Sequence, residues 1–176
     1  MEKLVFIDES GFALDLYRRY GWGIGGGRLY EEVPVNTGVN RSVVGAYSLP
    51  SSENPTGLWA LWQKLGSWTR EYFEIFLSEG LLPLLPRGSV LVLDNASIHK
   101  GDEVKRLVQE AGSSLLYLPP YSPDYSPIEP VWGWLKNYVR IIKPVDDEQR
   151  QSTIFQAKLA LPPQHAAAWF AHCGLS

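Results

Sequence analysis

The sequence predicts an α/β fold, a mixed sheet with helices on its faces. Three observations carry the prediction. A continuous apolar run at 89–93, an amphipathic stretch and a second run at 114–118 form a βαβ unit, expected to be right-handed. Three shorter strand-like runs precede residue 50. After residue 126 the helical period takes over, broken only at prolines.

The elements follow in order. Lys3 to Ile7 reads as a strand that ends on Asp8-Glu9-Ser10-Gly11. Residues 20–30 carry five glycines between Gly21 and Gly27 and read as a hairpin tip, flanked by Trp22, Leu29 and Tyr30. Arg41 to Leu49 is β-rich and stops at Pro50, and 50–57 is a loop. Trp68 to Leu82 reads as a helix on the stripe Tyr72, Phe73, Phe76 and Leu77, ended by Pro83 and Pro86. Ser89 to Leu93 reads as a fully buried strand. Asp102 to Ala111 places Val104, Leu107, Val108 and Ala111 on one helical face, and Gly112 suits a left-handed stop. Ser114 to Leu118 is the last strand. A helix from Ser126 to Ile142 stops at Pro144. Asp146-Asp147-Glu148 opens a final helical stretch that Pro162-Pro163 breaks.

Composition sets the class. The 176 residues are 45% hydrophobic and 20% charged, ordinary for one globular domain. A single cysteine, Cys173, excludes an internal disulfide. No apolar run approaches the ~18 residues of a membrane span, so a cytoplasmic protein with no membrane contact is expected. The net charge of −3 gives no general support to nucleic-acid binding. Any such role must rest on a local patch. The Gly21–Gly27 run lacks the Gly-Lys-Ser/Thr ending of a phosphate loop.

Three acids stand out by position. Asp8 ends the first strand, Asp94 ends the buried strand, and Glu129 opens the helix after Ser126. Strand ends in α/β sheets gather functional groups, and a carboxylate at the end of a buried strand has a desolvation cost that a shared cation would offset. Each has a plainer reading. Asp8 can cap the Ser10-Gly11 turn, and Glu9 competes with it, since both faces of the strand look buried. Asp94-Asn95 can be an Asx turn. Ser126-Pro127-Ile128-Glu129 has the form of a capping box. Glu129 lies off the apolar stripe of Ile128, Val131, Trp132, Leu135 and Val139. Lys136 and Arg140 line up with it within about 20° down the helix. An acid for a cation above two bases for a phosphate backbone suits nucleic-acid chemistry. A solvated helix face has the same pattern.

The segments FIDESGF (6–12), LVLDNASIHK (91–100) and LPPYSPDYSPIEPVWGWLK (118–136) together resemble the DDE catalytic domain of bacterial insertion-sequence transposases of the mariner superfamily. RRYGWG (18–23) and AAAWFAHCG (166–174) are similar to the same group, as is the interval of 34 residues between Asp94 and Glu129. The resemblance implies a ribonuclease-H-like fold over 1–145, with 146–176 as a helical tail of the same domain. It implies that Asp8, Asp94 and Glu129 are the catalytic and metal-binding acids, which settles Asp8 over Glu9. Asn95, His99 and Lys100 fall beside the second acid, with His99 near the cleft to touch phosphate or orient a carboxylate, or else a plain turn residue. Lys100, Lys136 and Arg140 are the expected DNA contacts. Tyr125-Ser126 replaces the Leu-Asn usual before Pro-Ile-Glu, and Ser126 is expected to keep the N-cap.

The implied chemistry uses two Mg2+ or Mn2+ ions about 3.5–4 Å apart, bridged by Asp8 and Asp94. It cleaves a phosphodiester at the element's end and transfers the freed 3′-hydroxyl to target DNA. The implied partners are transposon-end and target DNA and a second copy in a homodimer, so the protein would sit at the nucleoid when bound. Relatives carry a helix-turn-helix segment ahead of the catalytic domain. Met1 stands a few residues before the first strand, so that segment is expected to be missing or separately encoded. Two rival readings are a nuclease that cuts without joining, and an inactive truncated copy, or one that inhibits full-length copies by pairing with them.

Overall fold

The structure, a computed structural model, describes residues 4–16, 38–120 and 122–175, together with 25, 28 and 30. The hairpin expected at 20–30 lies almost wholly outside them. The strands are β1 (Leu4–Phe12), β2 (Arg41–Tyr47), β3 (Leu58–Leu65), β4 (Val90–Leu93) and β5 (Ser114–Tyr117). They form one mixed sheet in the order β3-β2-β1-β4-β5. β1 pairs antiparallel with β2 and parallel with β4, β2 antiparallel with β3, and β4 parallel with β5. The helices are α1 (Arg70–Ile75), α2 (Asp102–Glu110), α3 (Ile128–Ile142), α4 (Asp147–Leu159) and α5 (Ala166–His172). Among the described residues no helix is long and apolar enough to cross a membrane.

Strand alternation divides the core. Phe6, Phe12, Val43 and Val92 pack with the α3 stripe and with Ile154, Ala157, Ala166 and Phe170 of α4 and α5. Val5, Ile7, Val44, Leu91 and Leu93 face the other way, onto Phe73, Phe76 and Leu77 and onto Val104 and Val108 of α2. Helices therefore cover both faces of the sheet, as the sequence predicts. α4 is tied to the sheet by Arg150, which is buried and donates to the carbonyls of Phe12 and Val39. Asp147 accepts from both Arg150 and Arg41.

One strand has no counterpart among the elements expected from the sequence, and two expectations need correction. Leu58–Leu65 is a strand on the sheet edge, held by pairing with β2; its Leu, Ala, Gln and Lys content hides that in the sequence. β1 does not stop at Asp8 but continues to Phe12, because β2 goes on pairing with it to Arg41. The stretch 68–82 is not one regular helix. α1 gives way to a π-helical turn over Phe76–Leu81 and a 3-10 turn over Leu82–Leu84. The wide turn keeps Phe76, Leu77 and Leu81 all buried. It contains Gly80, where a Cβ would fall 2.6 Å from the Trp62 ring.

Candidate active site

The sheet has a step at its centre. β4 pairs with β1 from Leu4↔Val90 to Phe6↔Val92 and ends one residue later, while β1 runs on. Continuing that register sets Asp94, just past the end of β4, beside Asp8. Both share the parity of Phe6 and Val92, so both belong to the α3 side. Glu129 enters from the first turn of α3. The three acids line one cleft of about 400 Å3, together with Asn95, Ala96 and the Leu118–Pro120 loop.

Each acid sits differently. Asp8 is half-buried, and Trp132 Nε1 donates to its Oδ2 at 2.9 Å. Burial pushes its carboxyl up to about 6; the Trp132 bond opposes the rise, and the negative charges of Glu9 and Glu129 add to it. The indole reaches Asp8 because Gly45 stands opposite it in β2. A Cβ there would lie 2.7 Å from Trp132 Cη2. Asp94 is exposed, and its Oδ1 accepts from the Ala96 amide at 2.8 Å, so it makes the Asx turn and lines the cleft as well. Glu129 is exposed. The expected N-cap does not form: α3 has no side-chain cap, and Ser126 contributes its carbonyl, which accepts from the Glu129 amide at 3.1 Å. Pro127 is helical and Ser126 extended, so Ser126 stands where a cap would, and it serves the first turn through its carbonyl.

Asn95 lines the cleft and His99 lies behind its wall. Asn95 Nδ2 donates to the Leu118 carbonyl and ties the loop after β4 to the loop after β5. His99 is fully buried against Phe73, ring centroids 4.6 Å apart, so it is no surface-turn histidine. Its Nε2 lies 3.0 and 3.1 Å from the two Glu9 carboxylate oxygens. Its Nδ1 lies 2.6 Å from Asp94 Oδ1, an ion-pair contact whose alignment falls outside hydrogen-bond geometry. Burial alone would lower the imidazole's pKa, but Glu9 and then Asp94 outweigh it and raise it. Glu9, a rival to Asp8 in the sequence, thus has a separate place on the opposite face. The signal was the pair Asp8-Glu9 itself, two adjacent acids that a strand must send to opposite faces.

The expected DNA-contacting bases stand outside the cleft lining. Lys100 is exposed, its Nζ 6.0 Å from the Tyr117 ring. Lys136 lies with Nζ 5.8 Å from the Phe12 ring, and Arg140 is half-buried one turn further along α3. On α2, Arg106 is engaged by Glu103 and Glu110 and Lys105 by Asp102, which reduces the positive surface that helix offers. Trp134 pairs with Tyr138, and Cys173 is buried.

Among the described residues, no three His, Cys, Asp or Glu side chains are gathered closely enough to hold a metal ion as they stand. The donor set nevertheless suits one. All three groups are hard oxygen donors on one solvent-open cleft. Asp94 and Glu129 are exposed to the solvent from which a cation would come, and the Trp132 bond offsets only part of the desolvation cost of Asp8.

No curated protein sequence matches the chain at a significant level. Solved structures do. The Mos1 strand transfer complex is similar with a TM-score of 0.57 at 15% identity, over 97% of this chain and 54% of that one. The Mos1 mariner paired end complex with Mn gives 0.54 at 14% identity, over 97% and 55%. A simian T-cell lymphotropic virus intasome in complex with a PP2A regulatory subunit gives 0.55 at 13%, over 87% and 47%. At these identities the likeness speaks for the fold, which is the ribonuclease-H-like catalytic fold of the Mos1 structures. The chain spans about half the length of the solved chains it matches. The model of the DDE superfamily endonuclease family matches residues 3–150. On that match, and on a sheet and cleft built as such an enzyme requires, the chain belongs to the DDE superfamily endonucleases.

Proposed function

We propose that this chain is the catalytic part of a DNA transposase, which cleaves DNA at transposon ends and joins the freed 3′-hydroxyl to target DNA. The observation that supports it most is that Asp8 of β1, Asp94 just past the neighbouring parallel strand β4, and Glu129 line one cleft. In this reading Asp8 and Asp94 hold two Mg2+ or Mn2+ ions from the sheet, and Glu129 completes the set from α3. The bound cations supply positive charge to the phosphodiester and acidify the attacking hydroxyl. Trp132 fixes the Asp8 carboxylate, and Asn95 keeps the Leu118 loop from closing the cleft. Lys136 and Arg140, further down the same helix as Glu129, hold the phosphate backbone, with Lys100 on the β4 side. No nucleophilic side chain is needed, because water and then the DNA 3′-oxygen attack phosphorus directly.

The partners follow from the reading: transposon-end DNA, target DNA, a second copy of the chain on the DNA, and a helix-turn-helix half that reads the end sequence. Work on chromosomal DNA would hold the protein at the nucleoid. The helices after 145 extend the catalytic domain rather than forming another. The test uses a supercoiled plasmid and a pre-cut DNA end with Mn2+. Wild type should nick the plasmid and join the end, and Asp94→Asn and Glu129→Gln should do neither. Equal nicking by Asp94→Asn would overturn the site, and nicking without joining would leave a nuclease.

A further inference from the structure

Behind the cleft runs a chain of three side chains, Glu9, His99 and Asp94, in which only Asp94 reaches the cleft. We propose that Glu9 and His99 are positioning residues that set the orientation of Asp94. The inference rests on the reading of Asp94 as a metal ligand and adds two residues to that site.

Several observations carry it. Glu9 is on β1 next to Asp8 but points to the opposite face of the sheet. His99 has no exposed surface, and its two ring nitrogens face two different carboxylates. Glu9 grips Nε2 through both oxygens, at 3.0 and 3.1 Å, which fixes the ring's tilt. Phe73 against the ring, and the Tyr117 hydroxyl donating to the His99 carbonyl at 2.9 Å, fix its position. At the far end, Asp94 Oδ1 accepts from the Ala96 amide and lies in ion-pair contact with His99 Nδ1. Oδ2 is thereby left as the oxygen for the cleft. An exposed aspartate on a loop would otherwise rotate freely and lose entropy on binding a cation. A carboxylate–histidine pair behind a ligand has that effect in metal sites generally, and its loss costs about 10–100-fold in metal affinity. The chain also spans the step in the sheet, linking the end of β4 to the β1 position beside Asp8.

The test is a titration of Mn2+ into the folded protein, with the thermal midpoint measured separately without metal. Glu9→Ala and His99→Gln should each raise the Mn2+ Kd about 10–100-fold. His99→Gln keeps a donor toward Glu9 and withdraws the nitrogen that faces Asp94. His99→Asn keeps a nitrogen toward Asp94 and should recover most of the affinity. A role in stability alone would lower the midpoint of all three and leave their Kd values at the wild-type level, which would overturn the proposal. Should Glu9→Ala not fold, Glu9→Gln keeps the volume and removes the charge. A Kd raised at least threefold is then expected, and an unchanged one overturns the proposal. Asp94→Asn separates this from the underlying reading: if it binds Mn2+ as wild type does, the metal-ligand reading fails first.

Discussion

Gly45→Ala probes the packing that delivers Trp132 to Asp8. Gly45 sits in the middle of β2, paired with Asp8. A methyl group there would stand 2.7 Å from Trp132 Cη2, 3.3 Å from Cζ2 and 3.6 Å from Ile128 Cδ1. The first distance is far inside contact, and Trp132 and Ile128 are both buried, so neither can swing into solvent. Overpacking of a buried site costs about 1–3 kcal/mol. Alanine in a strand recovers about 0.5–1 kcal/mol over glycine. At 2.7 Å from a buried ring the upper part of the overpacking cost applies, about 2–3 kcal/mol. The net loss is about 1–2.5 kcal/mol, or about 2–10 °C in thermal midpoint for a chain of this size. Circular dichroism melts of the two proteins measure it. Trp132→Phe removes the ring atoms that would clash, so the Gly45→Ala penalty should shrink in that background, a coupling that a double-mutant cycle reads. A Gly45→Ala midpoint equal to or above wild type would refute the packing argument.

Two further outcomes are expected. Burial holds the Asp8 carboxyl up to about 6, above its unfolded value of 3.8, so the folded state prefers it protonated. Its charge then costs nothing below about pH 4, and the full cost is present above about pH 6. Without metal, Asp8→Asn should therefore melt higher than wild type at pH 7 and match it near pH 4, and equal midpoints at both values would contradict the assignment. Asp147→Ala leaves buried Arg150 with its two carbonyl partners but without its carboxylate; the cost is about 2–3 kcal/mol in urea unfolding at pH 7. Arg41 first, and then Arg150, hold Asp147 down to about 2. That stabilisation is complete above about pH 4 and fades as the pH falls through 2, and a difference that persisted there would count against the ion pair.

How much of this the sequence discloses depends on whether a residue's role is local. The α2 stripe and its Gly112 stop, the buried run of β4 and the apolar face of α3 follow from spacing alone, and all three stand where spacing puts them. β3 does not, because Leu58–Leu65 is a strand only by virtue of its neighbour. Trp132 reads as a core residue on α3, and it is one. Its bond to Asp8 depends on Gly45, 87 positions away, and no local pattern ties the two. Both Asp8 and Glu9 are legible as candidates. Alternation says that they part, but it takes the sheet's step to decide which one meets Asp94. His99 is the extreme case: by sequence it reads either as a neighbour of the cleft or as a turn residue, and in the fold it is fully buried between two strands' acids. The capping box marks the start of α3 correctly, with Ser126 extended and Pro127 helical, but the Glu129 amide bonds the Ser126 carbonyl rather than its hydroxyl.

The central claim is that Asp8, Asp94 and Glu129 close on divalent cations. Crystals soaked in Mn2+ and measured for anomalous scattering test it directly. The account predicts peaks in the cleft within about 2.0–2.3 Å of carboxylate oxygens from all three residues, with Glu129 turned in from solvent and Asp94 bound through Oδ2. Manganese held elsewhere, or a cleft without a peak while Glu129 still faces solvent, would contradict it.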